Sequence, residues 1–184
     1  MAISDEEDIL ELIRRDSWRM DVLKAAACLG LPDWWIGSGF VRAAAWDAMF
    51  GRTTVLPDVD VIYFDSSDIS KETEKVHEEE LARLSPGVPW SVKNQARMHL
   101  RNGDAPYASC ADAIRCWPET ASAVAVKLDV AGNLELLAPL GLADLSAGII
   151  RPTPRFRSKM DIFRERQAEK GWLAVWPGVR YSED

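Results

Sequence analysis

Apolar residues recur at helical spacing from Asp5 to Leu29, through Ile9, Leu10, Leu12, Ile13, Val22, Leu23 and Ala26, and Gly30 with Pro32 ends the run. The pattern then changes period. Trp34-Trp35-Ile36 reads as a short apolar strand, Gly37-Ser38-Gly39 as a turn, and the stretch up to Phe50 as a helix with Gly51 as its C-cap. Val59 to Phe64 is β-branched and aromatic, which predicts a strand introduced by Leu56-Pro57. Ser70 to Leu84 carries sparse apolar positions among charges and reads as an exposed helix, with His77 solvated on it. Val88 to Val92 is a short strand, Asn94 to His99 a turn or short helix, and Ala111 to Cys116 a helix. Ala121–Val130 and Leu134–Ala138 flank Ala131-Gly132-Asn133 as a hairpin. A short helix within 141–150 and a longer one over 155–170 follow, and the tail packs through Trp172 and Trp176.

These elements alternate without an internal repeat or linker, so the expectation is one α+β domain over residues 1–184. It comprises a small mixed sheet with flanking helices (about 30–140) and a helical extension (about 141–184). A chain of 184 residues buries roughly 70% of its unfolded surface and needs no disulfide or structural metal. The N-terminus is acidic, not a secretory leader, and no apolar run reaches the ~18 residues of a membrane span, so a cytoplasmic protein without a membrane partner is expected. The net charge of −7 argues against general nucleic-acid binding. Cys28, Cys110 and Cys116 lack metal spacing and read as reduced thiols; with only His77 and His99 beside them, a zinc site is not expected.

The chemistry lies in "WWIGSGFVRAAAW" and "LPDVDVIYFD". Glycines at a strand end let a backbone approach a ligand, and the amides at the start of the following helix favour an anion such as phosphate. Side chains alternate along a strand, so Asp58 and Asp60 share a face. Paired carboxylates repel, and a divalent cation resolves the conflict; Mg²⁺ takes one or two carboxylates and completes its shell with substrate phosphates. Alone, a Gly-x-Gly turn is a common tight connection and an Asp-x-Asp a solvated strand start. Together they place a phosphate cradle beside a metal site, as phosphoryl or nucleotidyl transfer requires.

At these residues the chain resembles the DNA polymerase β-like nucleotidyltransferase superfamily, whose pattern is Gly-Ser or Gly-Gly, a helix, and Asp-x-Asp. The blocks "VKNQARMH", "WPETASAVAVKL", "APLGLADL" and "RP" are similar to one bacterial branch of it whose substrate is unknown. The resemblance implies that Gly37, Ser38 and Gly39 contact the phosphates of a nucleoside triphosphate, with Arg42 facing them. It implies that Asp58 and Asp60 are catalytic and bind Mg²⁺, and that Asn94 and Arg97 help position the nucleotide. The implied reaction moves a nucleoside monophosphate to a hydroxyl on an unknown acceptor.

The family pattern has a third carboxylate on a later strand, where this chain carries Trp90-Ser91-Val92. Asp65, Asp129 and Glu135 are candidate substitutes, Glu135 the best patterned and Asp65 of the wrong strand parity. With a substitute the chain is an enzyme; without one, a non-catalytic nucleotide-binding or regulatory protein. Among the remaining residues, Trp34, Trp35 and Trp46 are expected to pack the first helix against the sheet, and Trp90 is a candidate platform for a base. The C-terminal cations, Arg166 and Lys170 among them, exceed the nearby Asp161, Glu165 and Glu169 and suit a solvated face or an anionic acceptor.

Overall fold

The computed structural model of the chain describes residues 3–183. Its centre is a five-stranded mixed sheet in the order β3-β2-β1-β4-β5, built from β1 (Trp35–Gly37), β2 (Val59–Tyr63), β3 (Trp90–Asn94), β4 (Ala125–Leu128) and β5 (Leu134–Leu137). Helices α1 (Glu6–Arg15), α2 (Ser17–Ala27), α3 (Gly39–Phe50) and α4 (Lys71–Leu84) precede or connect the first three strands. Strands β2 and β3 are parallel, with α4 as the crossover, whereas β1 runs antiparallel to both β2 and β4. The expected hairpin closes between β4 and β5, its turn held by the Asp129 carboxylate accepting from the amides of Ala131 and Asn133.

Alternation divides the sheet into two unlike faces. Ile36, Val61, Val92 and Val126 point to the larger apolar core, which contains Ile9, Ile13, Leu23, Val41, Trp46 and Leu81 from the helices and Trp172, Trp176 and Val179 from the tail. The other face carries Trp35, Ile62 and Ala125 and is covered by a smaller cluster with Cys110 and Ile114 from α6 (Cys110–Arg115). That cover is short, and it leaves open the end of β2 that bears Asp60.

Several expectations change at this level. The predicted first helix is two, because the Asp16 backbone turns to φ −90° and ψ 100° and its carboxylate caps α2 through the amide of Arg19. Trp46 and Trp34 do belong to the main core, but Trp35 is on the opposite face. Trp90 also packs on the core side, its indole donating to the Ser85 carbonyl, so it offers no platform in the cleft. His77 is half-buried edge-on against Tyr63, not solvated, with ring centroids 5.7 Å apart.

Asn94–His99 opens α5 (Gln95–Asn102). Residues 141–150 contain the expected short helix, α7 (Ala143–Ser146), followed by β6 (Ile149–Ile150), which pairs in parallel with β7 (Arg180–Tyr181). Between them lie α8 (Met160–Lys170) and α9 (Trp172–Val175). The tail folds back as expected: Trp172 and Trp176 meet Trp46 edge-on at 6.0 and 5.2 Å, and the Trp176 indole donates to Asp47 at 2.8 Å. No helix among the described residues is long and apolar enough to cross a membrane.

Candidate functional site

The site forms where β1 ends and α3 begins. Gly37 leaves no room for a side chain, since a Cβ there would lie 2.4 Å from Cη2 of Trp117. Ser38 follows with φ 52° and ψ −110°, its amide bonded to the Val124 carbonyl at 2.8 Å. Its carbonyl accepts from the amides of Val41 and Arg42, starting α3, while its hydroxyl makes no cap and stays on the cleft side. The first turn of any helix has amides without intrahelical acceptors, and here that turn opens beside Asp58 and Asp60.

The antiparallel register Ile36↔Val61 brings Gly37 next to Asp60 across the strands, and the parallel register sets Asp60 opposite Ser91. Asp58 is exposed at the strand entrance, whereas Asp60 is half-buried. Burial raises the Asp60 carboxyl above its ordinary pKa, and Asp58 adds to the effect; the Ser91 hydroxyl, Lys93 and Lys170 oppose it. This is the unresolved like-charge pair that a cation would relieve. The described residues contain no group of three or more His, Cys, Asp or Glu able to hold a metal by themselves. Two carboxylates therefore fit an ion such as Mg²⁺ that draws further oxygens from substrate and water.

Arg42, one turn into α3, is buried at 7% exposure. Its Nη1 donates to Ser122 Oγ at 2.7 Å and to Ser38 Oγ at 3.4 Å, and its guanidinium lies 4.0 Å from the Trp172 ring centroid. Burial pushes this group down to about 10, still protonated at neutral pH, while Glu119, Asp58 and Asp60 pull the other way. Its Nε has no hydrogen-bond partner. A buried guanidinium bonded to two hydroxyls, with no carboxylate in contact, is suited to receive an anion.

Two cavities of about 510 Å³ each meet at Ser38, Asp60 and Arg166. One is walled by Gly39, Arg42, Asp58, Lys170 and Trp172. The other is walled by Ser91, Lys93, Gln95, Trp117, Glu119, Ser122, Phe156 and Lys159.

Asn94 and Arg97 are not among these walls, which corrects the expectation that they contact a nucleotide. The Asn94 amide is consumed in fixing the loop after β2, donating to the carbonyls of Asp65 and Asp68 and accepting from the amides of Asp65 and Ala96. Arg97 makes a two-point ion pair with buried Glu74, at 2.7 and 2.5 Å. The candidate third carboxylates are also elsewhere. Asp65 caps Ser67, Asp129 closes the hairpin turn, and Glu135 pairs with Lys127 at 3.1 Å on β5, three strands from Asp60.

The sequence does not mark Glu119, Ser122 or Trp117 as site residues, whereas for Arg166 and Lys170 it allows a solvated face or an anionic acceptor, and both reach the cleft. For Arg166 and Lys170 a signal existed in their i,i+4 spacing on one helix, which places both cations on a single face. Glu119 and Trp117 had no local signal, since each reaches the cleft only through an irregular segment between α6 and β4.

Comparison with known proteins gives a consistent result. The nucleotidyltransferase family matches residues 24–181. An NMR structure described as revealing a CCA-adding enzyme head domain superposes with a TM-score of 0.87 at 31% identity, over 99% of this chain and 98% of that one. The Thermotoga maritima CCA-adding enzyme complexed with tRNA superposes with a TM-score of 0.59 at 18% identity, over 100% of this chain and 43% of its own. The Bacillus stearothermophilus CCA-adding enzyme in complex with CTP gives 0.52 at 19% identity, over 90% and 40%. These last two share the fold, and this chain spans less than half of their length. No curated protein matches.

Proposed function

This chain belongs to the nucleotidyltransferase family, and on that footing we propose that it transfers a nucleoside monophosphate from a nucleoside triphosphate to a hydroxyl acceptor in a Mg²⁺-dependent reaction. The observation that carries this reading is the junction of Ser38, Arg42, Asp58 and Asp60 on one cavity wall. It joins the start of α3 and a buried guanidinium to a pair of like-charged carboxylates.

In this reading the amides at the start of α3, the Ser38 hydroxyl and Arg42 bind the phosphates and hold the α-phosphorus for in-line attack. Asp58 and Asp60 would hold Mg²⁺, which when bound neutralises phosphate charge and polarises the reacting oxygens. Ser91 steadies the Asp60 carboxylate from the neighbouring strand. The second cavity, with Trp117 and Phe156 among its walls, receives the nucleoside or the acceptor.

The relatives named above include complexes with CTP and with tRNA. A net charge of −7 describes the whole chain, whereas the cleft walls carry Lys93, Lys159, Arg166 and Lys170. An RNA terminus therefore belongs among the acceptors to test.

The test is calorimetric titration of ATP, GTP, CTP and UTP, with and without Mg²⁺, into the protein and into Asp58→Ala/Asp60→Ala. Mg²⁺-dependent binding that the double variant loses supports the site; failure of all four to bind overturns it. One observation favours a second reading, that of a nucleotide-binding protein without catalysis: Ser91 occupies the position beside Asp60, and none of the substitute carboxylates reaches it. Pyrophosphate release on incubation with the bound nucleotide and total cellular RNA favours transfer. Tight binding without release favours the second reading.

A further inference from the structure

Arg166 projects from α8 to the point where the two cavities join, beside Ser38 and Asp60. Its Nε donates to Glu119 Oε1 at 2.6 Å, and neither terminal nitrogen has a hydrogen bond within the described residues. Glu119 is fully buried. The same Oε1 accepts from Gln167 Nε2 at 2.8 Å, while Oε2 has no partner. A buried carboxylate is costly to keep, and a pair serving only stability would be expected to close as a two-point fork, as Arg97 does with Glu74. The Glu119 pair instead uses one edge of the guanidinium and leaves the other edge for the cleft.

Arg42 lines the same cavity beside Ser38, and it has no carboxylate in contact. The two guanidiniums repel across the gap, and the charge of Arg166 disfavours that of Arg42. Lys170, one turn beyond Arg166, lines the Arg42 cavity. An anion bearing several charges would relieve this arrangement, and the planar fork of arginine matches phosphate oxygens.

We propose that Arg166 is a second phosphate-binding residue, reaching the polyphosphate from α8 in the cavity it shares with Arg42, and that Glu119 is the positioning residue that holds its free edge towards the cleft. The inference rests on the nucleotide reading of the site. It makes α8 part of the substrate site.

The experiment titrates inorganic triphosphate with Mg²⁺ into the full chain and its variants, each checked for folding by thermal melting. Arg166→Gln is expected to weaken binding by about ten- to a hundredfold, the range of a lost charge-assisted contact. Glu119→Gln is expected to weaken it less, and to have no further effect once Arg166 is glutamine, an interaction that a structural role alone would not produce. The double variant Glu119→Gln/Arg166→Gln leaves no unpaired buried charge, so it keeps the test available if Arg166→Gln does not fold. If these variants bind as tightly as the parent while Asp58→Ala/Asp60→Ala loses binding, the role of Arg166 is overturned and the nucleotide reading stands. If the parent binds neither triphosphate nor any nucleotide, both fall.

Discussion

Ser38 holds φ 52° and ψ −110°, a conformation in which Cβ crowds the backbone and which glycine occupies far more readily. A serine kept there is strained, and its hydroxyl lies within reach of Arg42. Ser38→Gly is expected to raise stability by about 1 kcal/mol in urea unfolding while weakening nucleotide binding in the titration above. Gly37 is the converse case. Its constraint is space, so Gly37→Ala drives a methyl into Trp117 and should cost about 1–3 kcal/mol in the same assay. The cysteines separate by environment. Burial pushes the Cys110 thiol well above its ordinary pKa, and the thiol donates to the Asp33 carbonyl at 2.9 Å, whereas Cys28 is exposed. A thiol reagent at pH 8 is expected to modify Cys28 in the native protein and Cys110 only after unfolding, as peptide mass mapping would reveal.

At the level of elements, local pattern carried most of the information. The strand, turn and helix around Ser38 and the β4–β5 hairpin were legible because their signals are short-range: a change of period, a glycine turn, and Ala-Gly-Asn between two apolar runs. The break between α1 and α2 was not, since the apolar period continues across it. What breaks the helix is Asp16, whose side chain replaces a helical bond with a cap and pairs with Arg19. Arg19 in turn donates to the Phe40 carbonyl at 3.2 Å, tying this joint to α3. Asp16→Ala is expected to cost about 1 kcal/mol, read as a lower urea midpoint with an unchanged slope. The pairing of β6 with β7 was also invisible, because two residues carry no period and the partner is 31 positions away, Ile149 against Arg180.

Across the whole molecule, the tail and the proposed phosphate site share one structure. Trp172 packs against Trp46 on one side and lies under the Arg42 guanidinium on the other. Trp172→Ala should therefore cost about 3–5 kcal/mol in unfolding, and near-ultraviolet circular dichroism should register the loss of the tryptophan cluster. Nucleotide affinity should fall with it, because Arg42 loses the surface that orients it. The amino-acid order alone was enough to indicate the Gly37–Gly39 turn and the carboxylate pair, because a turn and a strand parity are properties of consecutive residues. Which groups stand beside them is set by the strand order β3-β2-β1-β4-β5. That order puts Ser91 next to Asp60 and sends Glu135 roughly 14 Å away across three strand spacings. It is also tertiary folding that joins Glu119 to Arg166 across 47 positions, for no periodicity reaches that far: such contacts are chosen by packing of the whole core and not by any neighbour in the chain.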